Sequence, residues 1–107
     1  MPSYLPGSVL GRNDLNLFFQ AQGEMFDPFA VGFDLFFLGL NRELRRVEVL
    51  IPPLERRPVN PAKGEYYASV MIPLSAEQGE YGLRWRWQPR MGQEEKTALM
   101  YFHVRQD

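Results

Sequence analysis

The chain has no cysteine, one histidine and only two lysines among its 107 residues. Without cysteine there are no disulfides, zinc ribbons, thiol nucleophiles or redox pairs. His103 alone cannot form a histidine cage for a metal, which needs two or three imidazoles. Long apolar runs are missing as well. The longest, Leu35 to Leu38 and Ala98 to Phe102, fall far short of the ~20 residues that cross a bilayer. The N-terminal residues carry neither a basic segment nor an apolar stretch of ~7–15 residues, so no signal peptide and a cytoplasmic origin are expected. An excess of one charge sign is also lacking. Twelve basic residues face thirteen acidic ones, for a formal net charge of −1, so nothing drives the whole chain toward nucleic acid or a charged membrane. No phosphate loop, dinucleotide fingerprint, EF-hand loop or metalloprotease motif occurs. Glu94 and Glu95 are neighbours and would point to opposite faces of a strand, so they make a poor acid–base pair. Asp27 precedes Pro28, which favours a turn or the start of a strand. The expectation is a protein that is not an enzyme and uses no metal or cofactor.

What is present is ordinary globular composition, 45% hydrophobic and 23% charged, in a length that suits one domain. Residues 1–13 are rich in Pro, Gly and Ser and read as an extended N-terminal arm, with residues 14–107 as the domain proper. The arm carries Tyr4, Leu5, Val9 and Leu10, so it is expected to dock, on its own body or on a neighbour. Removing residues 1–12 is expected to weaken assembly and leave the domain folded.

From residue 15 onward the apolar positions repeat with period 2, the signature of half-buried strands. The sets are Leu15, Leu17 and Phe19; Val31 to Phe37; Val47, Val49 and Ile51; Tyr66 to Ile72; Tyr81 to Trp87; and Ala98 to Val104. A short seventh run is possible around Met25 to Phe29. Turns are expected at Gln22-Gly23-Glu24, at Gly39 to Asn41, at Asn60 to Gly64 and at Gln88 to Gly92. Ser75 to Gln78 could make at most one helical turn. The chain therefore reads as all-β, a β-sandwich of immunoglobulin or fibronectin type III kind. The specific reason is Gly79-Glu80-Tyr81-Gly82-Leu83. A tyrosine just after a turn glycine, opening a strand, fits a structural tyrosine corner, whose hydroxyl bonds to backbone upstream.

Aromatic residues and arginines are unevenly placed. Seven of the eight phenylalanines lie between positions 18 and 37, with Phe18-Phe19 and Phe36-Phe37 as adjacent pairs. Each pair puts one ring on each face of a strand, and the outer ring needs a cover. That cover is either the arm, through Tyr4 and Leu5, or another subunit. Ten arginines against two lysines suit interface chemistry, since the guanidinium fork is weakly hydrated and pairs carboxylates; a GC-rich genome gives the same bias. Arg42, Arg45 and Arg46 cluster, Arg56 and Arg57 follow a proline pair, and Arg84 and Arg86 share an outward face. Asp34 is expected to point outward, opposite Phe33 and Leu35, and His103 to be a surface residue. The candidate interface residues are thus Tyr4, Leu5, Phe18, Phe36, Arg45, Arg46, Arg84 and Arg86.

Several segments together resemble a known group. They are Asp27-Pro28-Phe29-Ala30-Val31, the stretch Pro58 to Ala68, Ile72-Pro73, Gly79 to Trp85 and Phe102-His103-Val104. Their order and spacing are similar to small immunoglobulin-like β-sandwich structural proteins of tailed bacteriophages and prophages. The resemblance implies a virion component, in the head–tail neck or connector or decorating the capsid, made in a bacterial cytoplasm. It implies other neck, tail or capsid subunits as partners and a symmetric homo-oligomer, with no membrane and no specific nucleic acid. The alternative is a carbohydrate- or peptide-binding sandwich. That reading needs an exposed aromatic row, for which Tyr67, Trp85 and Trp87 are candidates, although alternation places both tryptophans inside.

Overall fold

The fold is that of a computed structural model, which describes residues 2–38, 45–46 and 57–105. The run at Val47, Val49 and Ile51, the turn at Gly39 to Asn41, and Arg42 and Arg56 lie outside the described residues. Arg45 and Arg46 are described by their backbone alone.

Twelve strands and no helix occur among the described residues. They are β1 (Ser3–Tyr4), β2 (Val9–Leu10), β3 (Asn16–Phe18), β4 (Gln20–Ala21), β5 (Glu24–Met25) and β6 (Ala30–Phe37). Then come β7 (Arg45–Arg46), β8 (Val59–Ala62), β9 (Glu65–Tyr67), β10 (Val70–Met71), β11 (Gly79–Gln88) and β12 (Lys96–Val104). A five-stranded sheet in the order β1-β12-β11-β6-β7 forms one layer. Facing it are the three-stranded sheet β3-β9-β8 and the pair β10-β2, while β4 and β5 form a separate hairpin. The molecule is all-β and β-sandwich-like.

Alternation explains the core. Leu35, Phe37, Tyr81, Leu83, Trp85, Phe102 and Val104 occupy the inner face of the large sheet. They meet Leu10, Leu15, Ala68, Val70 and Ile72 from the opposing layer. Burying one such side chain contributes about 1.5–3 kcal/mol. Phe102 stacks on Tyr81 with ring centroids 5.6 Å apart, and Phe37 lies against the same tyrosine at 4.9 Å. The Trp85 indole N–H donates to the Met100 sulfur at 3.2 Å, so this fully buried ring leaves no polar group unpaired. The Tyr81 hydroxyl donates to the carbonyl of Glu77 at 2.7 Å, the upstream bond expected of a corner.

The N-terminal segment lies on its own body. β1 runs parallel to β12, with Ser3 beside His103 and Tyr4 beside Val104. The His103 N–H donates to the carbonyl of Pro2 at 2.9 Å and half-buries a residue expected at the surface. β2 pairs β10 and sends Leu10, 1% exposed, into the core. Residues 2–12 are therefore docked on the chain's own body, the first of the two dockings expected of the arm.

Local details differ from the sequence expectation in three more places. The run Tyr66 to Ile72 is two strands, because β9 pairs β3 and β8 while β10 turns away to β2. Asn60-Pro61 lies inside β8 rather than in a turn. This strand edges its sheet and its register slips between Val59 and Ala62, so a residue without an N–H is tolerated. Of the run Met25 to Phe29, only Met25 is in a strand. The β4–β5 turn uses Gln22 and Gly23, both with positive φ (52° and 81°), the hairpin turn that matches strand twist.

Candidate functional site

The outer face of the five-stranded sheet is built by the same alternation that fills the core. On β6, Gly32, Asp34 and Phe36 point away from the core; on β11, Gly82, Arg84 and Arg86 do so; on β12, Leu99 and Tyr101. Antiparallel pairing sets Asp34 beside Arg84 and Gly32 beside Arg86, and sets Arg84 beside Leu99 and Gly82 beside Tyr101.

Asp34 is the centre of this face. Arg86 Nε donates to its Oδ2 at 2.7 Å, and Arg84 Nη2 approaches the same oxygen at 3.4 Å. The carboxylate faces outward, as expected, but the two arginines lie over it and leave the residue 7% exposed. Glu95 also lies 3.8 Å from Arg86 Nη1, so two carboxylates face the two guanidiniums. The Arg84 guanidinium carbon also stands 4.7 Å from the Phe36 ring centroid, a cation–π contact. Its Nε is buried with no hydrogen-bond partner among the described residues.

Two glycines let these groups lie flat. A Cβ on Gly32 would come within 3.1 Å of Arg86 Nη2, and one on Gly82 within 3.6 Å of the Tyr101 ring. Leu99 and Tyr101 remain 53% and 40% exposed. The face thus combines fixed arginine donors with exposed apolar area, the composition of an interface core.

The remaining expected interface residues lie elsewhere. Tyr4 is engaged within the chain: its ring meets Phe102 edge-on at 5.9 Å and its hydroxyl donates to Asp14 at 3.1 Å. Burial, and then the charge and hydrogen bond of Asp14, push the Tyr4 pKa up from its ordinary value. Leu5 is exposed, and the contacts of Tyr4 are with Phe102 and Asp14 rather than with Phe18 or Phe36. The backbones of Arg45 and Arg46 sit beside Phe37 and Phe36 at the sheet edge. Phe18, 57% exposed, belongs to the opposing layer and lines a different feature.

That feature is a cleft of about 880 Å³ between the β4–β5 hairpin and the β11–β12 turn. Phe18, Phe26 and Trp87 line it. Trp87 is half-buried rather than inside, because it sits at the open end of the sandwich, edge-on to Phe19 at 5.3 Å. Trp85 is fully buried and Tyr67 half-buried, so the aromatic row proposed from sequence does not form. One wall is fastened by Asp27, whose Oδ1 accepts the Gly64 N–H at 2.7 Å. Burial, and then the charge and hydrogen bond of Asp27, raise the Tyr66 pKa. Nearby, Arg12 clasps Glu65 with two hydrogen bonds of 2.7 Å each. Those bonds, and then the Glu65 charge, raise the Arg12 pKa further.

Sequence reasoning missed Asp34 as a site residue and missed the cleft. The signal for Asp34 was an acidic residue on an apolar strand with two alternating arginines on another. Among the described residues, no group of three or more His, Cys, Asp or Glu side chains is placed to hold a metal ion. No helix there is long and apolar enough to cross a membrane. Comparison with protein-family models, with curated proteins and with solved structures finds no match.

Proposed function

We propose that the chain is a structural component of a bacteriophage virion, in the head–tail neck or decorating the capsid, acting through protein–protein contacts. In this reading the sandwich is of immunoglobulin or fibronectin type III kind, with Tyr81 as its corner. The segments from Asp27 to Val104 that resemble such proteins support the identity. The observation that carries the contact function is the outer sheet face, where Asp34 holds Arg84 and Arg86 beside Phe36, Leu99 and Tyr101. Preordered arginines and exposed apolar groups lose little entropy on docking. Repetition in a ring or shell turns modest contacts into avidity.

Quantitative mass spectrometry of gradient-purified particles tests the reading. A neck ring predicts about 6 or about 12 copies per particle, by closed symmetry. A decoration protein predicts copies on the order of hundreds. Absence from particles contradicts the proposal.

A further inference from the structure

We propose that the cleft between the β4–β5 hairpin and the β11–β12 turn binds an acidic oligosaccharide, one built of uronic acid units. The inference goes beyond the virion reading and stands on a different surface of the molecule.

The cleft volume, about 880 Å³, lies in the range of ligand sites, roughly 300–1,000 Å³. Its lining is divided in a way that matches a sugar. Phe18, Phe26 and Trp87 supply flat apolar area, suited to the C–H face of a pyranose. Gln20, Gln22 and Gln93 supply side-chain amides, which donate and accept at once, as paired hydroxyls require.

Charge selects the acidic class. Lys63, Arg90 and Lys96 line the cleft, and none of the three makes an ion pair within the described chain. Of the two lining carboxylates, Asp27 is engaged by the Gly64 N–H and by Asn60, and Glu24 lies on the hairpin. The lining carries a local excess of one positive charge in a chain of net charge −1. Both lysines of the chain stand at this one site.

The test uses the full chain and two-dimensional NMR of its two indole N–H groups. The probes are trimers of galacturonate, glucuronate and mannuronate, with a neutral galactose trimer, a polyglutamate peptide and a single-stranded DNA oligomer as comparisons. At least one uronate trimer is expected to shift the Trp87 indole signal and leave that of Trp85, sealed in the core, unmoved. Lys63→Gln and Lys96→Gln are each expected to weaken that binding by about twofold to fivefold, as for one exposed ion pair. Both positions are exposed, and an unchanged melting temperature separates lost binding from lost folding. Trp87→Phe, which keeps a ring, is expected to bind more weakly and to remove the reporting signal. Three results overturn the proposal: no uronate trimer moves Trp87, the neutral trimer binds as tightly, or polyglutamate or DNA binds more tightly. Failure here leaves particle incorporation untouched, so the two proposals fail separately.

Discussion

Asp34 and Arg86 stand on neighbouring strands, β6 and β11, and Arg86 Nε donates to the Asp34 carboxylate at 2.7 Å. The pair is diagonal: Arg86 is registered with Gly32, and the absent side chain there leaves room for the guanidinium. Asp34→Asn keeps the shape and removes the charge that orders Arg84 and Arg86. Breaking a buried pair costs about 3–5 kcal/mol, but both arginines are more than a third exposed. Solvent screening reduces the expected loss to about 1–2 kcal/mol. Urea denaturation of the variant and its parent checks this.

Gly32 and Gly64 should respond differently to alanine. At Gly32 the new methyl meets only the end of a flexible arginine, so Gly32→Ala should cost less than about 1 kcal/mol while displacing Arg86 from Asp34. At Gly64, φ is +78° and the methyl would lie 2.8 Å from the Phe19 carbonyl oxygen. Backbone strain and a clash with backbone combine there, and Gly64→Ala should cost about 2 kcal/mol or more. Thermal melting of the two variants side by side gives the ranking.

Deleting residues 1–12 removes Leu10 from the core, both N-terminal strand pairings and the Arg12–Glu65 clasp. Losing one buried leucine alone costs about 2–5 kcal/mol. The deletion should therefore lower stability by at least about 3 kcal/mol. A deletion that melts like the parent would show that the segment is not part of the folded unit.

Most of the core and strand content is legible in the sequence. Val31 to Phe37, Tyr81 to Trp87 and Ala98 to Val104 alternate cleanly because each lies on a long strand with one face on the core. The Tyr81 hydroxyl bond is legible for a similar reason, since it spans only four residues. What is not legible is register between distant strands. Asp34 and Arg86 are 52 positions apart, and alternation says only that both point outward. The cleft is harder still, since it joins Phe18 and Phe26 to Trp87 and Lys96 through the way one end of the sandwich opens. Short pairings such as β2 with β10 carry too few residues to show a period.

Tyr4 makes a pH-dependent contribution. Its pKa is raised in the folded state, by burial and then by Asp14, above the ordinary tyrosine value of about 10. The folded state therefore holds the proton more tightly than the unfolded chain. The stabilisation is complete below about pH 10 and is lost as pH rises through the folded value. Tyr4→Phe cannot ionise, so its stability should fall less steeply than that of the parent between about pH 9 and about pH 11. Guanidinium denaturation across that range gives both slopes; parallel slopes would contradict the assignment.

The outer sheet face as the contact surface is tested most directly by photo-crosslinking inside purified particles. A benzoylphenylalanine is placed at Leu99, beside Arg84 on that face, and in a control at Leu74, which is 82% exposed outside any strand. The account predicts crosslinks from position 99 to a neighbouring virion chain or a second copy, and few from position 74. Particles that incorporate both variants and crosslink from 74 but not from 99 would contradict it.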